Sequence, residues 1–126
     1  MVDAAELPVE TGVSADAMAE AMFGPSIKIV SATFTGDPNS AGIYSDGDTF
    51  APDITPSDTG VILSTGNARD ITNSTGESNQ TSSLSTDTAG VNGDADLNAI
   101  AGTQTFDAAI FQADFIPDGS VLTMQI

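Results

Sequence analysis

The chain has 126 residues, and its eighteen acidic side chains face only two basic ones, Lys28 and Arg69, for a formal charge of −16. That length suits one domain, and the charge excludes both the phosphate-neutralising surface of a nucleic-acid binder and docking on anionic lipid. There is no cysteine and no histidine, which removes disulfides, thiolate chemistry and the commonest general base and metal ligand.

Residues 1–13 read as an extended N-terminal arm, followed by one β-rich domain over 14–126. Ser14 is a good helix N-cap, and Asp16 places a negative charge in the first turn, where the helix dipole favours it. Ala15, Met18, Ala19 and Met22 recur at i, i+3, i+4, i+7, and Gly24-Pro25 stops the pattern. The spacing predicts a helix over 15–23, the only one expected. Residues 27–35 (IKIVSATFT) alternate and are β-branched, which predicts a strand, and GDPN (36–39) predicts a turn.

Residues 40–59 are loop-like, with GIY a short strand candidate. The apolar run Val61–Leu63, bounded by Gly60 and Gly66, has the pattern of a buried central strand. Residues 72–90 are rich in Ser, Thr, Asn and Gly, a composition compatible with an ordered or a flexible surface loop. Farther on, Ala109, Phe111, Ala113 and Phe115 alternate with Ile110, Gln112 and Asp114. After the turn Pro117-Asp118-Gly119, Leu122, Met124 and Ile126 fall on one face. A hairpin across that turn is the expectation. Leu122, Met124 and Ile126 then mark an apolar assembly strand, since an unpaired strand is a template for another chain.

Leu, Ile, Val and Phe together number 28, or 22% of the chain. That is just above the level below which highly charged chains stay disordered, so the core is expected to be modest, or completed by other polypeptide. No segment approaches the ~20 apolar residues of a membrane span, so membrane insertion is not expected.

Most carboxylates lack a basic partner, which turns attention to cations. Asp94, Asp96 and Asn98 match the first three ligand positions of a calcium loop, but Ala99 and Thr105 stand where an EF-hand needs Gly and Glu. They form a candidate non-EF calcium site, and Asp46 and Asp48 form a second. Asp and Asn are also ordinary turn formers. No catalytic residue is proposed. A Ser-Lys pair would need Lys28, which sits in a strand pattern between Ile27 and Ile29. The many Asp have no Trp, and only Tyr44, to stack a sugar.

Taken in order, GVILSTG (60–66), NSTG (73–76), a Thr/Ser-rich tract, GVNGDADLNAIAG (90–102) and TFDAAIFQADFIPDGSVLTMQI (105–126) resemble the N-terminal half of the choice-of-anchor L domain. VSADAMAEAMFG (13–24) and SATFTGD (31–37) fit upstream. The resemblance implies an extracellular bacterial protein, held at the surface by a C-terminal anchor or released through a C-terminal signal. It also implies a β-rich domain without an enzymatic role, continuing into a second half that this chain lacks.

The combined expectation is an all-β, sandwich- or jelly-roll-like domain with one short helix, completed by another chain or segment. Its expected role is a structural or adhesive surface subunit, forming fibres by strand complementation. The alternative is a calcium-dependent glycan- or surface-binding module. Its partners would be other copies of itself or the absent C-terminal half.

Overall fold

The computed structural model describes residues 6–73 and 85–124. The chain is built mostly of strands, in two antiparallel sheets, so the all-β class expected from the alternation is met. One sheet holds β1 (Val9–Thr11), β3 (Ala41–Tyr44) and β4 (Gly60–Leu63), in the order β1-β3-β4. The other pairs β2 (Lys28–Thr35) with β5 (Ile110–Ile116). Helix α1 (Ala15–Phe23) packs against β2 of one sheet and against β3 and β4 of the other. It is therefore the shared element between them.

Helix α1 forms where its local signals place it. The Ser14 hydroxyl accepts from the Ala17 N–H at 3.1 Å, and Gly24, at φ +71°, donates its N–H to Glu20 at 2.9 Å. Of the predicted stripe, Met18 and Ala19 are fully buried. The aromatic ring of Phe23 lies 4.6 Å from that of Phe115, so the helix end covers the inner face of the β2–β5 sheet.

Of the stretch read as an arm over 1–13, residues Val9–Thr11 form a strand of the sheet. Strand β1 pairs with β3, and Leu7 and Val9 join Tyr44, Ala51 and Ala68 in the buried cluster. Two longer-range bonds fix the stretch in place. The Leu7 N–H donates to the buried Thr72 hydroxyl at 3.0 Å, and Arg69 Nε donates to the Val9 carbonyl at 3.2 Å.

Two strand pairings differ from expectation. The period-2 faces of β5 are as predicted, with Phe111, Ala113 and Phe115 turned inward and Gln112 and Asp114 outward. Its partner, however, is β2, from Lys28↔Ile116 to Thr35↔Ile110, with an irregularity between Ile29 and Ser31. The hairpin expected across Pro117–Gly119 does not form: Val121–Met124 lie in no strand. β2 offers a longer matching face, with Phe34 opposite Phe111 and Ile29 opposite Phe115, under the cover of α1. Likewise β4, expected in the centre, lies at the edge, and β3 holds the centre between β1 and β4.

Two further helices punctuate the loops, α2 (Gly47–Phe50) and α3 (Ala95–Ala101). Helix α3 was not anticipated, although Asp94 as N-cap and Gly102 at φ +68° are ordinary boundary signals. Of the Ser/Thr-rich tract, residues 74–84 lie outside the described residues. Residues after them are tied down by Thr88, whose hydroxyl donates to the Thr65 carbonyl at 2.9 Å, and by Ala89, whose N–H donates to Asp37 at 2.8 Å.

Asp37 is the hub of that attachment. One carboxylate oxygen accepts from Ala89, and the other accepts from the Asn39 N–H at 2.8 Å, capping a 3-10 turn at Pro38–Ser40. The Ala89 bond, then the Asn39 bond, holds its carboxyl below the usual carboxylate range. A group with a depressed folded-state pKa contributes stability above its unfolded value, and loses it as pH falls through the folded one. Asp37→Asn should therefore be less stable than the parent at neutral pH. The gap in melting temperature should close below about pH 4. A gap that stays constant down to pH ~2 would show that the Asp37 charge plays no part.

Candidate functional site

Two of the residues singled out for cation binding, Asp94 and Asn98, accept hydrogen bonds within the chain. Asp94 is the N-cap of α3, and one of its oxygens accepts from the Asp96 N–H at 3.1 Å and the Leu97 N–H at 3.0 Å. Asn98 turns its side-chain oxygen to Thr105, accepting from the backbone N–H at 2.7 Å and the hydroxyl at 2.8 Å. Gly93 donates its N–H to the Thr105 carbonyl at 2.8 Å, and Asp107 donates its own to the Asn92 side chain at 3.0 Å. An antiparallel bridge between Val91 and Ala108 closes the base. The stretch 91–108 is thus a self-bonded excursion, and a cation there would have to compete with backbone N–H groups for the same oxygens.

Asp46 and Asp48 flank Gly47 at the start of α2. Asp46 has a left-handed backbone, φ +56°, and makes no side-chain cap bond to the helix. The Asp48 N–H donates to the carboxylate of Asp58 at 3.2 Å, and the Gly47 N–H donates to the Asp58 carbonyl at 2.8 Å. Asp58, a residue sequence reasoning passed over, organises this loop; its position beside Thr59-Gly60 carries no signal beyond that of a turn. Among the described residues, no three acidic side chains come together as a metal-binding group.

The assembly residues lie elsewhere. Leu122 and Met124 are exposed and outside any strand, and Ile126 lies outside the described residues. Leu122, Thr123 and Met124 form one wall of a groove of about 620 Å³. The facing walls are the end of α1 (Ala21, Met22, Phe23) and strand β4 (Val61, Ile62, Leu63). None of its lining residues is charged, in a chain whose net charge is −16. No periodicity marked this groove, because it is assembled from several segments distant in sequence.

A second, more polar cleft of about 440 Å³ lies along Ser64–Asp70, Ser85, Thr86 and Asp107. Its polar groups largely serve one another. The Thr86 hydroxyl donates to Asp70 at 2.6 Å and accepts from the Asn67 N–H at 3.3 Å.

The choice-of-anchor L domain matches residues 8–125. No curated protein and no solved structure matches the chain. The chain belongs to the choice-of-anchor L domain family, which places it among bacterial surface-associated proteins. Among the described residues, no helix is long and apolar enough to cross a membrane.

Proposed function

We propose that this choice-of-anchor L domain is a non-catalytic structural or adhesive subunit of a bacterial surface or matrix assembly, joined to its neighbours by strand pairing. One observation carries the reading: among the described residues, four of the five strands (β1, β2, β4 and β5) lie at a sheet edge. An edge strand presents a row of backbone donors and acceptors to any chain that can reach it, and soluble proteins usually blunt such edges with charge. Here the strands β1, β2 and β5 each carry a charged residue, Glu10, Lys28 and Asp114, while β4 carries none. Large apolar side chains also remain exposed beyond the sheets, notably Ile100, at 85% exposure, on α3 and Val121, at 79%, before Leu122.

The test is solution mass by light scattering over a wide range of concentration, with calcium and with chelator, at low and high salt. The expected result is a mass that rises above one chain with concentration. It should rise more at high salt, because screening relieves the repulsion between two strongly acidic copies. A compact monomer under every condition would sink the proposal.

A further inference from the structure

We propose that the uncharged groove beside β4 receives residues 119–124 of a second copy of this chain, added as a strand along the outer edge of β4. The inference rests on the assembly reading above and supplies its donor and its acceptor.

The acceptor is set by topology. Strand β4 gives one edge to β3, and its other edge carries no strand among the described residues. The side chains that line the groove beside it are apolar or neutral. Strand addition gives affinity through backbone hydrogen bonds and specificity through pockets for alternate side chains.

Charge selects the donor. Two copies at −16 each repel, so they can approach closely only where neither presents a carboxylate. An Asp or Glu carried into the groove would be desolvated without a partner, which disfavours it there. Residues 119–124, Gly-Ser-Val-Leu-Thr-Met, carry no charge and alternate with Leu122 and Met124 on one side. The stretch Val121–Met124 has four residues, as β4 does, lies in no strand, and leaves Val121 and Met124 exposed.

Place makes the exchange easy. Leu122, Thr123 and Met124 already stand at the wall of the groove in their own chain. Moving them into a neighbour's groove displaces no core residue, since Leu7, Met18 and Tyr44 are contributed by other segments. Reciprocal exchange of identical segments is a low-cost route to dimers.

Because the chain has no cysteine, single cysteines report the contact without background. Leu63→Cys and Thr123→Cys, both at exposed positions, are mixed and oxidised. The expected product is a two-chain disulfide heterodimer, in yield several-fold above that of either variant alone and increasing with salt. Adding Leu122→Asp to the Thr123→Cys chain, which would carry a carboxylate into the groove, should cut that yield several-fold. Two results would overturn the proposal while leaving the subunit reading intact. The first is a Leu63→Cys/Thr123→Cys double variant that closes within one chain at every concentration. The second is an unmodified chain that associates while the mixture forms no heterodimer. A chain that never exceeds monomer mass would overturn both.

Discussion

Replacing Tyr44 with alanine is expected to lower the free energy of unfolding by about 3–5 kcal/mol, the usual cost of emptying a buried aromatic site. Tyr44 is the largest side chain of the buried cluster and sits at the end of the central strand, opposite Val9 of β1 and Gly60 of β4. Its hydroxyl lies 3.1 Å from the Ser57 hydroxyl. Ser57 gives its own proton to the Thr59 carbonyl at 2.8 Å, so Tyr44 is the donor. Tyr44→Phe removes only that bond and should cost about 1 kcal/mol. A whole domain is stable by only ~5–15 kcal/mol, so the alanine variant should be close to unfolding at room temperature.

The ring also explains why β4 begins with glycine. A Cβ on Gly60 would lie 2.6 Å from the Tyr44 hydroxyl oxygen and 2.7–2.8 Å from its ring carbons, so Gly60→Ala should destabilise the parent by about 1–3 kcal/mol. The same substitution should cost clearly less beside Tyr44→Ala, where the ring is gone, and a double-mutant cycle from urea unfolding would show the coupling. Strictly additive costs would mean that the ring does not press on this residue.

The second large effect is expected at Gly90. A Cβ there would fall 2.5 Å from both Cα and the carbonyl carbon of Asp107. Those are backbone atoms, so no side chain can swing aside to relieve the clash. Gly90→Ala should force the 85–91 segment away from 107–108, costing about 1–3 kcal/mol or more. The local consequence is more telling than the total. The Ala108 N–H, which donates to the Val91 carbonyl at 3.0 Å, should exchange with solvent faster, and with it the amides of the α3 excursion. Gly119→Ala, with nothing within 4 Å of the added methyl, should stay within about ±0.5 kcal/mol. If hydrogen exchange at Ala108 is unchanged in Gly90→Ala, the close approach of these two segments is wrong.

Two readings of the sequence depend on contacts that local patterns do not carry. Asp94, Asp96 and Asn98 have the spacing of cation ligands, but a carboxylate or amide oxygen that can hold a cation can equally accept a backbone N–H. At Asp94 and Asn98 the backbone groups are present in the same chain. That Thr105 folds back onto Asn98 is something no local pattern reports. The same holds for the turn at Pro117–Gly119. Its residues favour reversal, yet reversal does not produce a hairpin when a better-matched face, that of β2, is available some eighty residues earlier.

The sequence alone determined what depends on neighbours along the chain. It settled helix α1, whose cap, stripe and stop residues lie within eleven positions, and the two faces of β5, which follow from a period of two. It also settled the strongly acidic character that composition imposes, and the family, whose blocks keep their order. Tertiary structure alone decided which strands meet. That choice is made by mutual burial between segments far apart, as when Phe23 of α1 covers Phe115 of β5. It left β4 at an edge, gathered α1, β4 and Leu122–Met124 around one uncharged groove, and held the extended stretch at Leu7–Val9 inside the core.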